Sequence, residues 1–284
     1  MTFAIRQINL QFSQDNEKPV NLTGLKCQAV ILNPSVLAKL QLRVWGMTLD
    51  QMNSYSNVGS NATNLTNRTV TVSAGIQGQV LAQIFSGNII SSYIDFSSVP
   101  DVCFVVEAST GAEFLARGAA STSYPGSVNA EDVIRSLASS IDYGFTNGEG
   151  DNAAHAIIQN QQLNGSVIQQ MQTIARASAI PMVIENNTVS IWANDGFRDG
   201  VSITLNEGNG MVGYPTYWAA GFAVKSEYNP MISIGRQITI SSIIPKANGT
   251  FAIQYVTHEL STFIPDGPWF TTARLSPPPY VPNN

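Results

Sequence analysis

His258 and Glu259 stand side by side near the end of the chain, and no other neighbouring pair comes closer to a chemical motif. A zinc-protease helix carries two histidines one turn apart, with a glutamate after the first. The imidazoles hold the metal and the carboxylate serves as base. Here position 262 is Thr, and Phe251, Ile253 and Tyr255 alternate at period two. That spacing predicts a strand, whose consecutive side chains point to opposite faces, so His258 and Glu259 diverge. The expectation is a strand histidine bonded to a neighbour, with no metal role. His155 follows Asp151 and two alanines in a glycine-rich connection, and the chain has two histidines in all, too few for a His/Cys cluster. General acid–base work by His155 is the weaker reading. No Gly-x-Ser-x-Gly turn marks a nucleophile. Gly148-Glu149-Gly150 and Gly208-Asn209-Gly210 are not set between a strand and a helix, so they read as turns. Glu131 and Asp132 are accounted for by the positive end of a helix. Trp45, Trp192, Trp218 and Trp269 could stack on sugar rings, yet each lies in or beside a strand set, which favours core or interface packing. No catalytic, cofactor-binding or metal-binding residue is assigned. The lack of converging titratable groups favours a structural role.

Composition points the same way. Of 284 residues, 12% are charged, about half the usual ~25%. Asn, Gln, Ser, Thr and Gly fill the gap, giving a polar, weakly charged surface suited to contact with other protein. The net charge is −5, with no Lys/Arg cluster, which argues against a phosphate-binding face. Cys27 and Cys103 each sit in an apolar strand-like run, and two buried free thiols are favoured over a disulfide. Met1-Thr2-Phe3-Ala4-Ile5-Arg6 does not read as a signal peptide. No apolar run reaches the ~18 residues of a membrane helix. The expected site of synthesis is a cytoplasm, where Asn61-Ala62-Thr63 and Asn64-Leu65-Thr66 are chance triplets.

These residues must be placed by three blocks. Residues 1–120 alternate: Ile8/Leu10/Phe12, Leu25/Cys27/Ala29/Ile31 and Leu40/Leu42/Val44 each share a face. Thr48 and Gln51 form a capping box opening a short helix with Leu49 and Met52. A polar loop at 60–67 precedes strands at 70–72, 80–96 and 102–107. Residues 121–195 change period. Asn129 starts a helix carrying Val133, Ile134, Leu137, Ala138 and Ile141. Ser166 and Gln169 box a second, with Val167, Met171, Ile174 and Ser178 on one stripe, ended by Pro181. Residues 182–184 and 188–192 flank Glu185-Asn186-Asn187 as a hairpin. Residues 196–284 alternate again: Ile203/Leu205, Phe222/Val224, Ile232/Ile234, Ile238/Ile240 and Phe251/Ile253/Tyr255. The tail Ser276-Pro277-Pro278-Pro279 is expected to be extended and outside any sheet interior. The fold class predicted is mainly β with a small α+β insert: a β-barrel over 1–120, an α+β unit over 121–195 and a second β-barrel over 196–284.

Four segments in order carry a family likeness. They are Leu42-Arg43-Val44-Trp45-Gly46-Met47-Thr48-Leu49-Asp50-Gln51-Met52-Asn53; Gly221-Phe222-Ala223-Val224 through Tyr228-Asn229-Pro230 to Ile234-Gly235; residues 249–261; and Pro265-Asp266-Gly267-Pro268-Trp269-Phe270-Thr271. Together they resemble the baseplate hub proteins of contractile-tailed phages, and residues 133–192 fit in kind. The resemblance implies two tail-tube-like barrels per chain and a homotrimer placing six barrels around a lumen. It implies a six-fold tail tube protein and a three-fold central spike protein as partners, with tape-measure and other baseplate proteins nearby. Phage DNA would pass without specific binding, and no membrane insertion is implied. The protein would act in the virion tail after assembly in the host bacterial cytoplasm, without catalysis. From size and placement alone, the strand edges and loops near Trp45, Met52, Trp218 and Trp269 are the expected contact surface. The rival readings are a tail tube subunit, a carbohydrate-binding β protein, and a metallohydrolase using His258 and Glu259.

Overall fold

A computed structural model describes residues 5–14, 18–34, 36–56 and 68–277. The first four residues, the loop at 60–67 with its two Asn-x-Ser/Thr triplets, and Pro278 and Pro279 lie outside these. The first block comprises β1 (Arg6–Ser13), β2 (Val20–Thr23), β3 (Cys27–Asn33), β4 (Lys39–Trp45), α1 (Leu49–Tyr55), β5 (Thr69–Ile76), β6 (Ala82–Asp95) and β7 (Cys103–Ser109). The strands lie in the order β3-β4-β7-β6-β5-β1-β2, all antiparallel. The period-two sets do this: Ile8, Leu10, Phe12, Cys27, Ala29, Ile31, Leu40, Leu42 and Val44 all enter one core with Val70, Val72, Phe104 and Val106. Leu25, just ahead of β3, is only partly buried against it. The capping box of α1 is made in both directions. Gln51 N–H donates to Thr48 Oγ1 at 3.2 Å, and Thr48 N–H to Gln51 Oε1 at 3.1 Å. α1 buries Met52 and Tyr55 and leaves Leu49 exposed; the Tyr55 ring lies 5.1 Å from Phe12.

A short helix, α2 (Ala112–Ala116), leads into the insert, which comprises β8 (Thr122–Asn129), α3 (Ala130–Ser139), β9 (Gly144–Asn147), β10 (Ile157–Leu163), α4 (Val167–Ala177), β11 (Met182–Glu185) and β12 (Thr188–Ile191). α4 has its box: Gln169 N–H donates to Ser166 Oγ at 3.3 Å and Ser166 N–H to Gln169 Oε1 at 2.9 Å. Its buried stripe is Ile168, Met171, Ile174 and Ala175, rather than one including Val167 and Ser178. Val167 is the first helical residue and only partly covered, and Ser178 is the C-cap. Asn129 precedes α3 as expected, but its side chain donates to Asp132 Oδ2 instead of capping. Asn186 and Asn187, at φ 48° and 58°, make the two-residue turn between β11 and β12. Both central residues of such a primed turn need positive φ, which Asn tolerates. β12 continues the sheet in parallel with β9, and β8 with β10 forms a separate ribbon.

The last block comprises β13 (Ser202–Asn206), β14 (Thr216–Trp218), β15 (Gly221–Glu227), β16 (Gln237–Ser241), β17 (Gly249–Thr262) and β18 (Trp269–Ser276). Their core holds Ile203, Leu205, Val224, Ile238, Ile240, Phe251 and Ile253. Ile232 and Ile234 enter it from a connection, not a strand. Tyr255 leaves the expected Phe251/Ile253/Tyr255 face, because β17 has a register shift against β18 between Ile253 and Tyr255. Beyond it Val256, His258 and Leu260 point inward. Ser276, expected in the extended tail, is the last residue of β18, paired with Ala252 and buried.

The chain is thus mainly β with a small α+β insert, and its two β blocks are hydrogen-bonded into one sheet. Along β17, Gly249–Ala252 pair with β16 on one edge, and Val256–Thr262 pair with β3 on that side. Its other edge follows β18. Insert and last block meet at Gly235, whose φ is +79° and whose added Cβ would lie 2.5 Å from the Trp192 ring. Gly235→Ala is therefore expected to destabilise by roughly 2–4 kcal/mol, from backbone strain plus overpacking. Urea midpoints at fixed protein concentration measure this, and a loss under about 0.5 kcal/mol would show that the contact relaxes freely.

Candidate functional site

All three blocks converge on one polar cavity of about 300 Å³. β3 brings Asn33, the end of β11 brings Glu185, and the connections around 198 and 230–236 bring Arg198, Ser233 and Arg236. Glu185 is the hub of their bonding. Its Oε2 accepts from Arg198 Nη1 at 2.7 Å, both carboxylate oxygens accept from Ser233 Oγ at 2.9 Å, and Oε1 takes a long contact of 3.5 Å from Asn33 Nδ2. Arg236 Nε donates to Asp199 Oδ2 at 2.8 Å, and Arg198 Nε lies 3.7 Å from the same oxygen. Two carboxylates and two guanidiniums therefore alternate with no net charge. Such an array fixes orientation more than it stabilises, because desolvation offsets most of the attraction. Its chemistry is that of a staple between blocks.

His258 lines the same cavity, 4% exposed. Its Nδ1 lies 2.9 Å from Thr271 Oγ1, which also accepts from Asn229 N–H at 3.1 Å. The Tyr228 ring meets the imidazole edge-on at 5.8 Å. This is the strand histidine bonded to a neighbour that the spacing predicts. Glu259 points to the opposite face. Among the described residues, no group of three or more His, Cys, Asp or Glu is placed to hold a metal ion. His155 is far from this site and largely exposed. Its Nδ1 lies 3.3 Å from Glu131 Oε2, which also accepts from Asn147 Nδ2 at 2.8 Å. Cys27 and Cys103 are buried free thiols, and burial pushes Cys27 up to about 12.

Of the four residues that mark the expected contact surface, Met52 and Trp269 have their own side chains in the first core. Met52 is on the buried face of α1, and Trp269 packs edge-on against Tyr228 at 5.2 Å. Trp45 and Trp218 are half-exposed. Trp45 carries the Lys26 ammonium 4.8 Å over its ring; Trp218 donates Nε1–H to the Leu275 carbonyl, with Arg274 5.7 Å over its ring. Trp192 is fully buried. In each of the two half-exposed tryptophans, a cation occupies one face of the ring. The residues of the staple went unassigned in the sequence because their partners are remote: Asn33 and Glu185 lie 152 positions apart.

Burial holds the His258 imidazole down, to about 4 from an ordinary 6.5. Between those values the unfolded chain binds a proton that the native chain refuses, so stability falls as pH falls through the window. The expected loss from pH 7 to pH 4.5 is about 2–3 kcal/mol, and it should shrink by that amount in His258→Gln. Urea midpoints at the two pH values decide it; equal pH slopes in both proteins would exclude His258 as the source. Glu185→Gln keeps the shape but leaves Arg198 with the more distant Asp199 carboxylate as its one charged partner in the array. A cost of about 1–3 kcal/mol is expected, partly restored in Glu185→Gln/Arg198→Met. A double variant no more stable than the single one would mean that the two do not act as a pair.

A family model described as baseplate hub gp41 matches residues 19–274. No curated protein matches the sequence. Among solved structures the chain resembles the tail protein from Neisseria meningitidis MC58, with a TM-score of 0.64 at 10% identity, covering 95% of this chain and 96% of that one. It also resembles the 43 kDa tail protein of prophage MuSo2 from Shewanella oneidensis, with a TM-score of 0.57 at 9% identity over 96% and 99% of the two chains. A third is the E. coli c3393 protein, a component of the type VI secretion system with structural similarity to the T4 bacteriophage tail proteins gp27 and gp5. It has a TM-score of 0.54 at 11% identity, over 98% of this chain and 74% of that one. Identities this low speak for the fold alone. The family match runs through both β blocks and the insert, and the chain belongs to the baseplate hub gp41 family, structural proteins of the phage tail.

Proposed function

We propose that three copies of this chain close into a ring that adapts a six-fold tail tube to a three-fold central spike and leaves an open axis for DNA. The reading divides the chain into β blocks at 1–120 and 196–284, each presenting one tube-like unit, around the insert at 121–195. The observation that carries it is the join at β17: one strand pairs with β16 and then with β3, so two β blocks travel as one body. Two such blocks in each of three copies give the six positions that a tube ring needs, by cyclic closure. The partners are the tail tube protein, the central spike protein, and tape-measure and other baseplate proteins. Assembly takes place in the host bacterial cytoplasm, and the work is geometric rather than catalytic.

The electrostatics agree with this role. With 14 basic against 19 acidic residues and no basic cluster, the wall would not hold phosphate, so DNA slides past. Low surface charge also suits wide permanent contacts, since obligate interfaces commonly bury ~2,000 Å² or more. The tail tube reading asks for one β block per chain, whereas two are fused here.

The test is stoichiometry. Light scattering and native mass spectrometry of the purified chain, alone and with its spike chain, are expected to give three copies. End-on particle averages should show three-fold symmetry with six lobes around an open axis. A chain that stays monomeric in both conditions, or a ring of six copies, overturns the proposal.

A further inference from the structure

The two β blocks repeat one strand order. In the first, β3-β4-β7-β6-β5-β1 lie side by side in that order; in the last, β14-β15-β18-β17-β16-β13 do. The final strand of each path alone differs in direction: β1 is antiparallel to β5, and β13 is parallel to β16. β6 and β17 correspond closely. Each has 14 residues, and each shifts register against the strand that follows it, β6 between Ile89 and Ser91 and β17 between Ile253 and Tyr255. Matching the two shifts sets Tyr93 on Thr257 and Ile94 on His258. It also sets Ala108 on Leu275, the partners of Ile89 and Ile253. Through them Leu40 falls on Phe222 and, one strand further, Ile31 on Tyr217 and Leu32 on Trp218.

One contact breaks the parallel. Beyond its shift β17 pairs with β3, Thr257 opposite Leu32 and His258 opposite Ile31. The corresponding edges, those of β6 beyond its shift and of β14, have no strand partner among the described residues. The ladder of β5 along β6 stops at Asn88. Both edges carry uncovered aromatic side chains. Tyr93 is 47% exposed, and Tyr217 is 67% exposed although its ring lies 5.1 Å from Phe222, which packs on the last core. Thr216-Tyr217-Trp218 has no charge or proline within it to blunt the edge.

We propose that β6 of one copy, over residues 92–95, pairs antiparallel with β14 of a second copy, in the register that β17 and β3 use within the chain. Tyr93 then lies opposite the partner's Trp218 on the outer face of the sheet, and Ile94 opposite the partner's Tyr217 on the inner face. Each copy offers one edge of each kind, so the contact is heterologous and can close a ring. The inference rests on the ring of three copies proposed above and supplies its joints between copies.

The two-residue turn at Ala219 and Ala220 makes Trp218 and Gly221 a hydrogen-bonded pair. Trp218 therefore forms a non-hydrogen-bonded pair across its other edge, with Cα atoms about 4.5 Å apart, within reach of a disulfide. The chain carrying Tyr93→Cys and Trp218→Cys is expected to give covalent trimers on mild oxidation, read on non-reducing gels. A mixture of the two single variants should give covalent dimers. Ser91→Cys with Trp218→Cys, two residues out of register on the same face, should cross-link at least about tenfold more slowly. Tyr217→Asp changes an exposed side chain, so its variant should fold, which far-ultraviolet circular dichroism checks. Its trimer is expected to dissociate at concentrations at least about tenfold higher by light scattering. All are measured on the chain with its spike chain if the chain alone is monomeric. A native trimer with no cross-linking above the Ser91 control, or with no weakening by Tyr217→Asp, overturns the joint and leaves the ring. Covalent species of more than three chains keep the joint and overturn the ring of three. A native chain that is monomeric in both conditions overturns both.

Discussion

The backbone edges of β17 constrain everything else. A strand has two edges, and each can satisfy one partner at a given position. β17 gives one edge to β18, and on its other side it serves β16 over Gly249–Ala252 and β3 over Val256–Thr262. The change of partner falls beside the register shift between Ile253 and Tyr255. An extra residue at a bulge bends a strand and sharpens its twist. One local irregularity therefore does two things: it aims the last block relative to the first and turns the inward face from Phe251/Ile253 to Val256/His258/Leu260. The cores follow the strand. Phe251 and Ile253 pack in the last block, while Leu260, further along, packs in the first. Because ladder hydrogen bonds set the joint, no exposed edge remains there for a foreign strand.

That bend explains why the junction is polar. Where one sheet leaves its core for another, neither set of inward apolar residues fills the gap, and the hairpin end of the insert enters it. Glu185 arrives with a carboxylate that must be satisfied, and Arg198, Ser233 and Asn33 approach it from different blocks. An apolar filling would bury as much area but would let the blocks slide. Directed ion pairs accept fewer arrangements, and specificity of orientation is the best-attested use of buried polar groups. Tyr228 adds a further tie, its hydroxyl donating to the Ala74 carbonyl across the two blocks. His258 stays neutral in the same wall, which avoids adding an uncompensated charge to a balanced set.

What was legible in the sequence was local. Alternation found β1, β3, β4, β5 and β7 because each has one wet and one dry face. The capping boxes at Thr48 and Ser166 were readable because their partners lie three residues on. The ribbon of β8 and β10 was not readable: it runs through Ser, Gly, Asn and Gln with little alternation, and it pairs positions as remote as Thr122 and Leu163. Ile232 and Ile234 mimic a strand face, yet they are two anchors of a loop. The bulge in β17 was invisible because a register shift depends on the partner strand, and its effect was to misplace Tyr255. The staple at Glu185 was hidden for the same reason at longer range. Size alone does not separate a core side chain from an interface one: Met52 is buried because it lies on the inner face of α1, and Trp269 because Tyr228 packs against it.

The proposed ring also gives the joint at β17 a physical purpose. A closed ring tolerates little error in the angle between neighbours, because each joint's error adds to the next and the last joint must absorb the sum. In the proposed ring of six β blocks, three joints lie within chains and three between them. Fixing the inner three through a shared strand and a charge-balanced staple leaves three to be set by association. Those three can rely on weaker, adaptable contacts, since the rigid halves present their surfaces already oriented and less freedom is lost on docking. In such a ring, pairing Glu185 with Arg198 and Asp199 with Arg236 and burying His258 neutral would all serve to hold one angle, since none of them leaves an uncompensated buried charge that could be relieved by another arrangement.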